Sequence, residues 1–164
     1  MKRQPDEVVL ITGCGSGIGK ALAQAFHRRG FRVCATARRL QTMDDLSRLG
    51  IQTLSLDVTQ AEDIQRVLDQ LNASGLTVSM LVNNAGYGAM GPLLDGGVEA
   101  MQRQFETNVF SIVGVTRALF PLLRRSRGLV VNIGSVSALL VTPFAGTYCA
   151  SKAAVHALSD ALRM

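Results

Sequence analysis

The sequence predicts an α/β protein built on one parallel sheet with right-handed crossovers. Three observations carry this. Short β-branched apolar runs alternate with longer segments of helical periodicity. A glycine-rich turn, Thr12 to Gly19, joins the first run to the first helix. Polar residues of unusual type (Arg38, Asp57, Asn83) fall where strands end, and parallel sheets bind ligands beyond the carboxyl ends of their strands.

Val8 to Ile11 reads as a buried first strand. The turn after it, T-G-C-G-S-G-I-G, is G-x-x-x-G-x-G through Gly13, Gly17 and Gly19, because Ile18 stands where the commoner fingerprint needs a glycine. Two readings fit: a structural turn, or an anion site made of close backbone approach and a free helix N-terminus. A helix follows from Lys20 to Arg29, with Gly30 at its C-terminal stop. Phe31 to Ala37 is the second strand, directly followed by Arg38 and Arg39. Leu40, Met43, Leu46 and Leu49 mark a second helix, and Ile51 to Leu56 a third strand ending at Asp57. Thr59 and Glu62 have capping-box spacing for a helix that buries Ile64, Val67, Leu68 and Leu71. Val78 to Val82 is the fourth strand, ending in Asn83-Asn84-Ala85-Gly86. A long helix is expected from Gly97 or Val98 to Arg125, kinked near Pro121, with Asn108 on or beside its apolar face. Asn108 reads either as a core asparagine satisfied by backbone or as a functional group. Leu129 to Ile133 is the fifth strand, Gly134 to Ser137 follow at its end, and a helix begins at Gly146.

Composition narrows the function. The 164 residues are 48% hydrophobic and 18% charged, enough for one domain with a real core, so 1–164 reads as a single unit. Seventeen Lys and Arg against 12 Asp and Glu give +5, but the basic residues are scattered pairs and aromatics are only 5%, which argues against nucleic acid. The three cysteines, Cys14, Cys34 and Cys149, have no metal-ligand spacing and point to no metal site and to a reducing compartment. The N-terminus M-K-R-Q-P-D-E leads into no signal-peptide core, and a cytoplasmic location is expected. Gly128 to Ser151 carries no charge, but its Asn, Ser, Thr and Pro residues make strand, turn and helix start the better reading than a membrane span. His27 and His156 have no partner pattern and are expected on helix surfaces.

Tyr148 and Lys152 are four residues apart on one helix face. A nearby ammonium favours a phenolate, and a tyrosine tuned in this way trades protons with an alkoxide or ketone near neutral pH. Ser135 lies at a strand end thirteen residues before Tyr148.

Taken together, T-G-x-x-x-G-x-G, N-N-A-G at Asn83 to Gly86, Asn108, Ser135 and Y-x-x-x-K at Tyr148 to Lys152 resemble the short-chain dehydrogenase/reductase family over almost the whole chain. The resemblance implies a Rossmann-type doubly wound sheet of strand order 3-2-1-4-5 in three α/β/α layers, binding a nicotinamide dinucleotide. It implies Tyr148 as general acid/base, Lys152 as the group that lowers its pKa and holds the nicotinamide ribose, Ser135 as the residue that orients the carbonyl or alcohol, and Asn108 as support for a proton-relaying water. It also implies that Gly13, Gly17, Ile18 and Gly19 line the diphosphate and nicotinamide path, that Asp57 and Val58 meet the adenine, and that Asn83, Ala85 and Gly86 line the cofactor's other side. Hydride would pass between the nicotinamide and a carbonyl or secondary-alcohol carbon.

Cofactor choice follows from charge. An acid at the end of the second strand selects NAD by binding the ribose 2′-hydroxyl. Here Ala37 holds that place and Arg38 and Arg39 follow, which favours NADP (NADPH) over NAD, since a guanidinium grips a 2′-phosphate bidentately. The other reading is that both arginines decorate a helix start. Many NADP-binding members have a basic residue just before the second motif glycine, where this chain has the neutral donor Ser16.

Ala89, Met90, Gly91, Pro92, Val136, Leu139, Leu140 and Val141 fit either a hydrophobic ketone or alcohol substrate or ordinary packing under a loop. The family usually pairs through the long helix and the Y-x-x-x-K helix, implying a homodimer or homotetramer. Family members also continue well past that helix, whereas this chain ends at Met164. The expectation is a domain truncated at its C-terminus, lacking the last strands, with the fifth strand as an uncovered apolar edge. The alternatives to an oxidoreductase are a non-catalytic dinucleotide-binding protein and an incomplete fragment.

Overall fold

The computed structural model describes residues 6–163. Met1–Pro5, on which the reading of the N-terminus largely rests, and Met164, the chain end, lie outside the described residues.

Five strands form one parallel sheet in the order β3-β2-β1-β4-β5: β1 Glu7–Ile11, β2 Val33–Ala37, β3 Gln52–Ser55, β4 Thr77–Asn83 and β5 Leu129–Asn132. Burial explains why β1 is apolar at successive positions. Val8 and Leu10 pack into one core with Leu71, Leu81, Leu119 and Leu122, while Val9 and Ile11 pack into the other with Ala23, Met43 and Leu46. Alternate residues of a strand point to opposite faces, so a strand covered on both faces needs apolar groups throughout. One layer holds α1 (Gly17–Arg28) and the short α2 (Asp44–Arg48); the other holds α3 (Ala61–Ala73) and α5 (Ser111–Ser126). The first turn after α1 uses Gly30 at φ +76°, where Phe31 N–H returns to the carbonyl of Phe26 at 3.1 Å.

Three local expectations are corrected. Thr59 does not cap α3. Its N–H and hydroxyl both donate to Asp57 Oδ1, at 3.0 and 2.7 Å, because an aspartate two residues upstream offers a nearer acceptor. The helix starts at Ala61, and Asp63 in its first turn accepts the Asp57 N–H at 2.8 Å. The long helix is not one regular element kinked at Pro121. It begins at α4 (Leu93–Phe105), breaks at Gly97 (φ +60°), passes through a π turn at Glu106–Phe110 and continues as α5 through Pro121. Proline is tolerated there because Arg117, the residue whose carbonyl loses its helical donor, is exposed to water. His156, on α6 (Gly146–Ala161), is half-buried with its ring against Gly134, rather than on an open surface. The uncharged stretch 128–151 forms β5, a 3₁₀ turn at Val136–Ala138, a loop and the start of α6, and no helix among the described residues is long and apolar enough to cross a membrane.

The ends of β1 and β4 are tied through Thr12. Its Oγ1 accepts the N–H groups of Asn84 and Ala85, both at 3.0 Å, and the residue is buried. Thr12→Val leaves both amides without that acceptor. It should lower stability by roughly 2 kcal/mol, while Thr12→Ser costs much less, as read from urea unfolding midpoints.

Candidate active site

The glycine loop is shaped by close contacts on one side and open space on the other. Gly13 has φ +74°, and a β-carbon there would lie 2.8 Å from Ala85 Cα. Gly19 approaches the Asn84 side chain and the Gly13 carbonyl just as tightly. Asn84 Nδ2 donates to the carbonyls of Thr12 (2.8 Å) and Gly13 (3.2 Å), while Cys14 N–H bonds Thr36 O at 2.8 Å, so the loop is anchored to β4 and to β2. Gly17, at φ +57°, has nothing near its absent β-carbon. Ser16 precedes α1 in extended conformation without a side-chain cap, and the first turn holds no acid. The result is a cradle of uncapped N–H groups that fits a diphosphate. Ile18 is exposed on the same turn.

At the end of β2, Ala37 is buried and Arg38 and Arg39 are exposed, their guanidinium groups making no ion pair or hydrogen bond among the described residues. Their backbone is held: Ser55 Oγ donates to Arg38 O at 3.2 Å, and Thr42 Oγ1 to Arg39 O at 2.6 Å. At the end of β3 the Asp57 carboxylate is engaged by Thr59, and the Val58 side chain is buried in the core, leaving backbone as its accessible part.

Asn83 has a largely internal role. Its Nδ2 donates to Thr116 Oγ1 (3.1 Å) and to Asn132 Oδ1 (2.9 Å), and Asn132 Nδ2 continues to Ser159 Oγ on α6 (2.9 Å). This chain ties β4, α5, β5 and α6 together below the site. Ala85 and Gly86 continue the strand end, and a β-carbon on Gly86 would meet Asn108 Oδ1 at 3.0 Å. Thr12 and Asn84, which hold the glycine loop to this turn, were not singled out by sequence reasoning; their signal is the polar residue at the end of each apolar strand.

Asn108 is buried in the π turn. Its Oδ1 accepts Tyr87 N–H (3.0 Å), and its Nδ2 donates to Tyr87 O (2.9 Å) and Ser151 Oγ (3.0 Å). Ser151 Oγ in turn donates to Tyr148 O at 2.7 Å, which links the β4 loop to α6. Ser135 starts the 3₁₀ turn packed on α6, and its Oγ accepts Ser137 N–H at 3.1 Å, leaving the hydroxyl proton to donate elsewhere. Tyr148 is half-buried. Lys152 is buried; its Nζ donates to Ile133 O at 2.7 Å and lies 5.9 Å from the centre of the Tyr148 ring. Burial lowers the Lys152 pKa by disfavouring its charged form. Burial also pushes the Cys14 thiol, inside the glycine loop, up to about 12. No cluster of metal-ligating side chains occurs among the described residues.

An uncapped glycine cradle, a tyrosine–lysine pair on one helix and a strand-end serine now stand at one edge of a parallel sheet. The model of the short chain dehydrogenase family matches residues 7–164. The chain belongs to that family. This short-chain dehydrogenase chain is 37% identical over 163 residues to the NADPH-dependent 1-acyldihydroxyacetone phosphate reductase of Schizosaccharomyces pombe, covering 98% of this chain and 55% of that one. Among solved structures, a short-chain dehydrogenase from Streptomyces avermitilis superposes with TM-score 0.89 at 38% identity, covering 95% of this chain and 60% of that one. The closed form of serine dehydrogenase complexed with NADP+ superposes with TM-score 0.89 at 34% identity, covering 95% and 65%. The chain spans just over half the length of the curated relatives it matches first.

The lowered Lys152 pKa has a sign that can be tested. Between that value and the ordinary lysine range, the unfolded chain holds a proton that the folded chain lacks, so raising the pH favours the folded state. As the pH is raised into the ordinary lysine range, toward 10.5, the urea midpoint of the parent should therefore rise relative to that of Lys152→Met. A constant difference between the two midpoints would refute this.

Proposed function

We propose that this chain binds NADPH and carries the residues for hydride transfer between the nicotinamide and a carbonyl or secondary alcohol of an apolar substrate. The single observation that carries the catalytic part is the buried Lys152, anchored on Ile133 O with its ammonium 5.9 Å from the Tyr148 ring centre. When bound, the nicotinamide supplies or accepts the hydride. The protein's own task is to move the proton. Ser135, with its hydroxyl proton free, donates to the substrate oxygen and orients it. Tyr148 transfers the proton to or from that oxygen. Lys152 holds positive charge beside the ring and, together with Tyr148, meets the ribose. Asn108 locks α6 to the β4 loop, so that these groups share one frame, and supports a water near Lys152.

Gly13, Ser16, Gly17, Ile18 and Gly19 would seat the diphosphate and the ring-side path. Asp57 and Val58 would border the adenine, and Asn83, Ala85 and Gly86 would back the cofactor. The unpaired Arg38 and Arg39, with no carboxylate at Ala37, support NADPH over NADH, and the NADPH-dependent relative points the same way. The apolar rim of Met90, Leu94, Val136, Leu139 and Val141, all strongly exposed, supports a hydrophobic substrate, in keeping with the acyl compound named for that relative. Exposed Phe110, at the end of the π turn, and Val113 and Phe120 on α5 support a homodimer or homotetramer. Three free, buried cysteines support a cytoplasmic setting.

The test is binding followed by turnover. NADPH should raise the melting temperature of the chain more than NADH at equal concentration. Replacing Arg38 and Arg39 by Ala should cut that preference about 10- to 100-fold, the worth of a charge-assisted phosphate contact. Tyr148→Phe should keep the NADPH-induced shift but slow NADPH oxidation by apolar ketones by roughly 10²–10⁴-fold. Equal shifts with both cofactors, or full turnover in Tyr148→Phe, would overturn the corresponding part.

A further inference from the structure

One buried polar side chain has no role in that chemistry. Gln104, in the last turn of α4, is fully buried. Its Nε2 donates to Tyr87 O at 2.9 Å, the same oxygen that Asn108 Nδ2 reaches at 2.9 Å, while Tyr87 N–H goes to Asn108 Oδ1. One carbonyl thus takes two side-chain donors, which fills its accepting capacity. The next residue, Gly88, faces the proposed acid/base: the place its β-carbon would occupy lies 3.7 Å from Tyr148 Cδ2. Gln104 Oε1, meanwhile, is buried and has no partner among the described residues. A desolvated acceptor without a donor is destabilising, so an apolar side chain of equal length would suit the core at least as well. Stability therefore does not account for a glutamine here. The hold on the Tyr87 peptide does.

We propose that Gln104 is a positioning residue. With Asn108 it fixes the Tyr87–Gly88 backbone as a wall along one side of the Tyr148 ring, and this wall limits how far the ring swings away from the site. The proposal rests on the reading of Tyr148 as the acid/base, but its test does not need turnover.

The chain has two tyrosines and no tryptophan, so in a Tyr87→Phe background tyrosine fluorescence reports Tyr148 alone. Tyr87 is partly exposed and no side-chain hydrogen bond of its own is lost in that change. In this background, Gln104→Met should raise acrylamide quenching of Tyr148 about twofold, the mark of a local opening. The urea midpoint should stay at the level of the Tyr87→Phe parent, because the lost hydrogen bond is offset by removal of the orphaned Oε1. Unchanged quenching would overturn the proposal. A lowered midpoint accompanying the rise would overturn it too, by making Gln104 a plain structural residue. If Gln104→Met does not fold, Gln104→Leu gives the same comparison, and failure of both to fold counts against the proposal. Loss of turnover in Tyr148→Phe is read separately, so the acid/base reading and the Gln104 reading fail independently.

Discussion

Thr12 sits where the two central strands stop, and its hydroxyl accepts two amides from the turn after β4. The functional edge of the sheet depends on that junction. It fixes the distance between the glycine loop and the N-N-A-G turn, and Asn84 completes it by returning to the loop carbonyls. Without the Thr12 hydroxyl the glycines would still permit close approach, but fewer bonds would enforce it. Gly13 and Gly19 are glycines because the opposing turn is already there, within 2.8 Å of where a β-carbon would be at Gly13.

From that junction, order passes outward through side-chain amides. Asn83 and Asn132 carry it across β4 and β5 to Ser159, and Asn108 carries it from Tyr87 through Ser151 to Tyr148. Both routes end on α6, the helix that bears Tyr148 and Lys152. Buried amides are costly when unpaired, so the two connected routes through Asn83 and Asn108 favour a single arrangement. The π turn belongs to this scheme: it places Asn108 in a locally widened stretch of helix, where its side chain meets a loop peptide instead of its own helix.

Much of this was legible in the sequence because strand interiors announce themselves. Val8 to Ile11 and Val78 to Val82 admit few other readings, and once the strands are placed the polar residues at their ends mark the site. Asn108, Ser135, Tyr148 and Lys152 stood out as a spaced set, and the fold links Asn108 through Ser151 to the Tyr148 backbone and sets Lys152 5.9 Å from the Tyr148 ring centre. What escaped was decided by competition among neighbours. Thr59 had the right spacing for a cap, but Asp57 two residues away took its hydroxyl. The π turn left no trace, since one extra residue in a helix barely disturbs an apolar stripe read over many turns. Gln104 drew no notice in the sequence, because its role depends on a loop more than ten residues earlier in the chain.

The exposed apolar side chains differ in kind from the buried polar network. Met90, Leu139 and Val141 stand on loops and Val136 on the 3₁₀ turn, all mostly exposed. Side chains there have little core packing to disrupt, so replacing one by another costs the fold little. On the proposed function, the residues that would move the proton and the surface that would meet the substrate are therefore held by different kinds of contact. The first is pinned by hydrogen-bonded side-chain amides, while the second makes few core contacts, so point changes there would alter the proposed substrate surface and leave the scaffold intact.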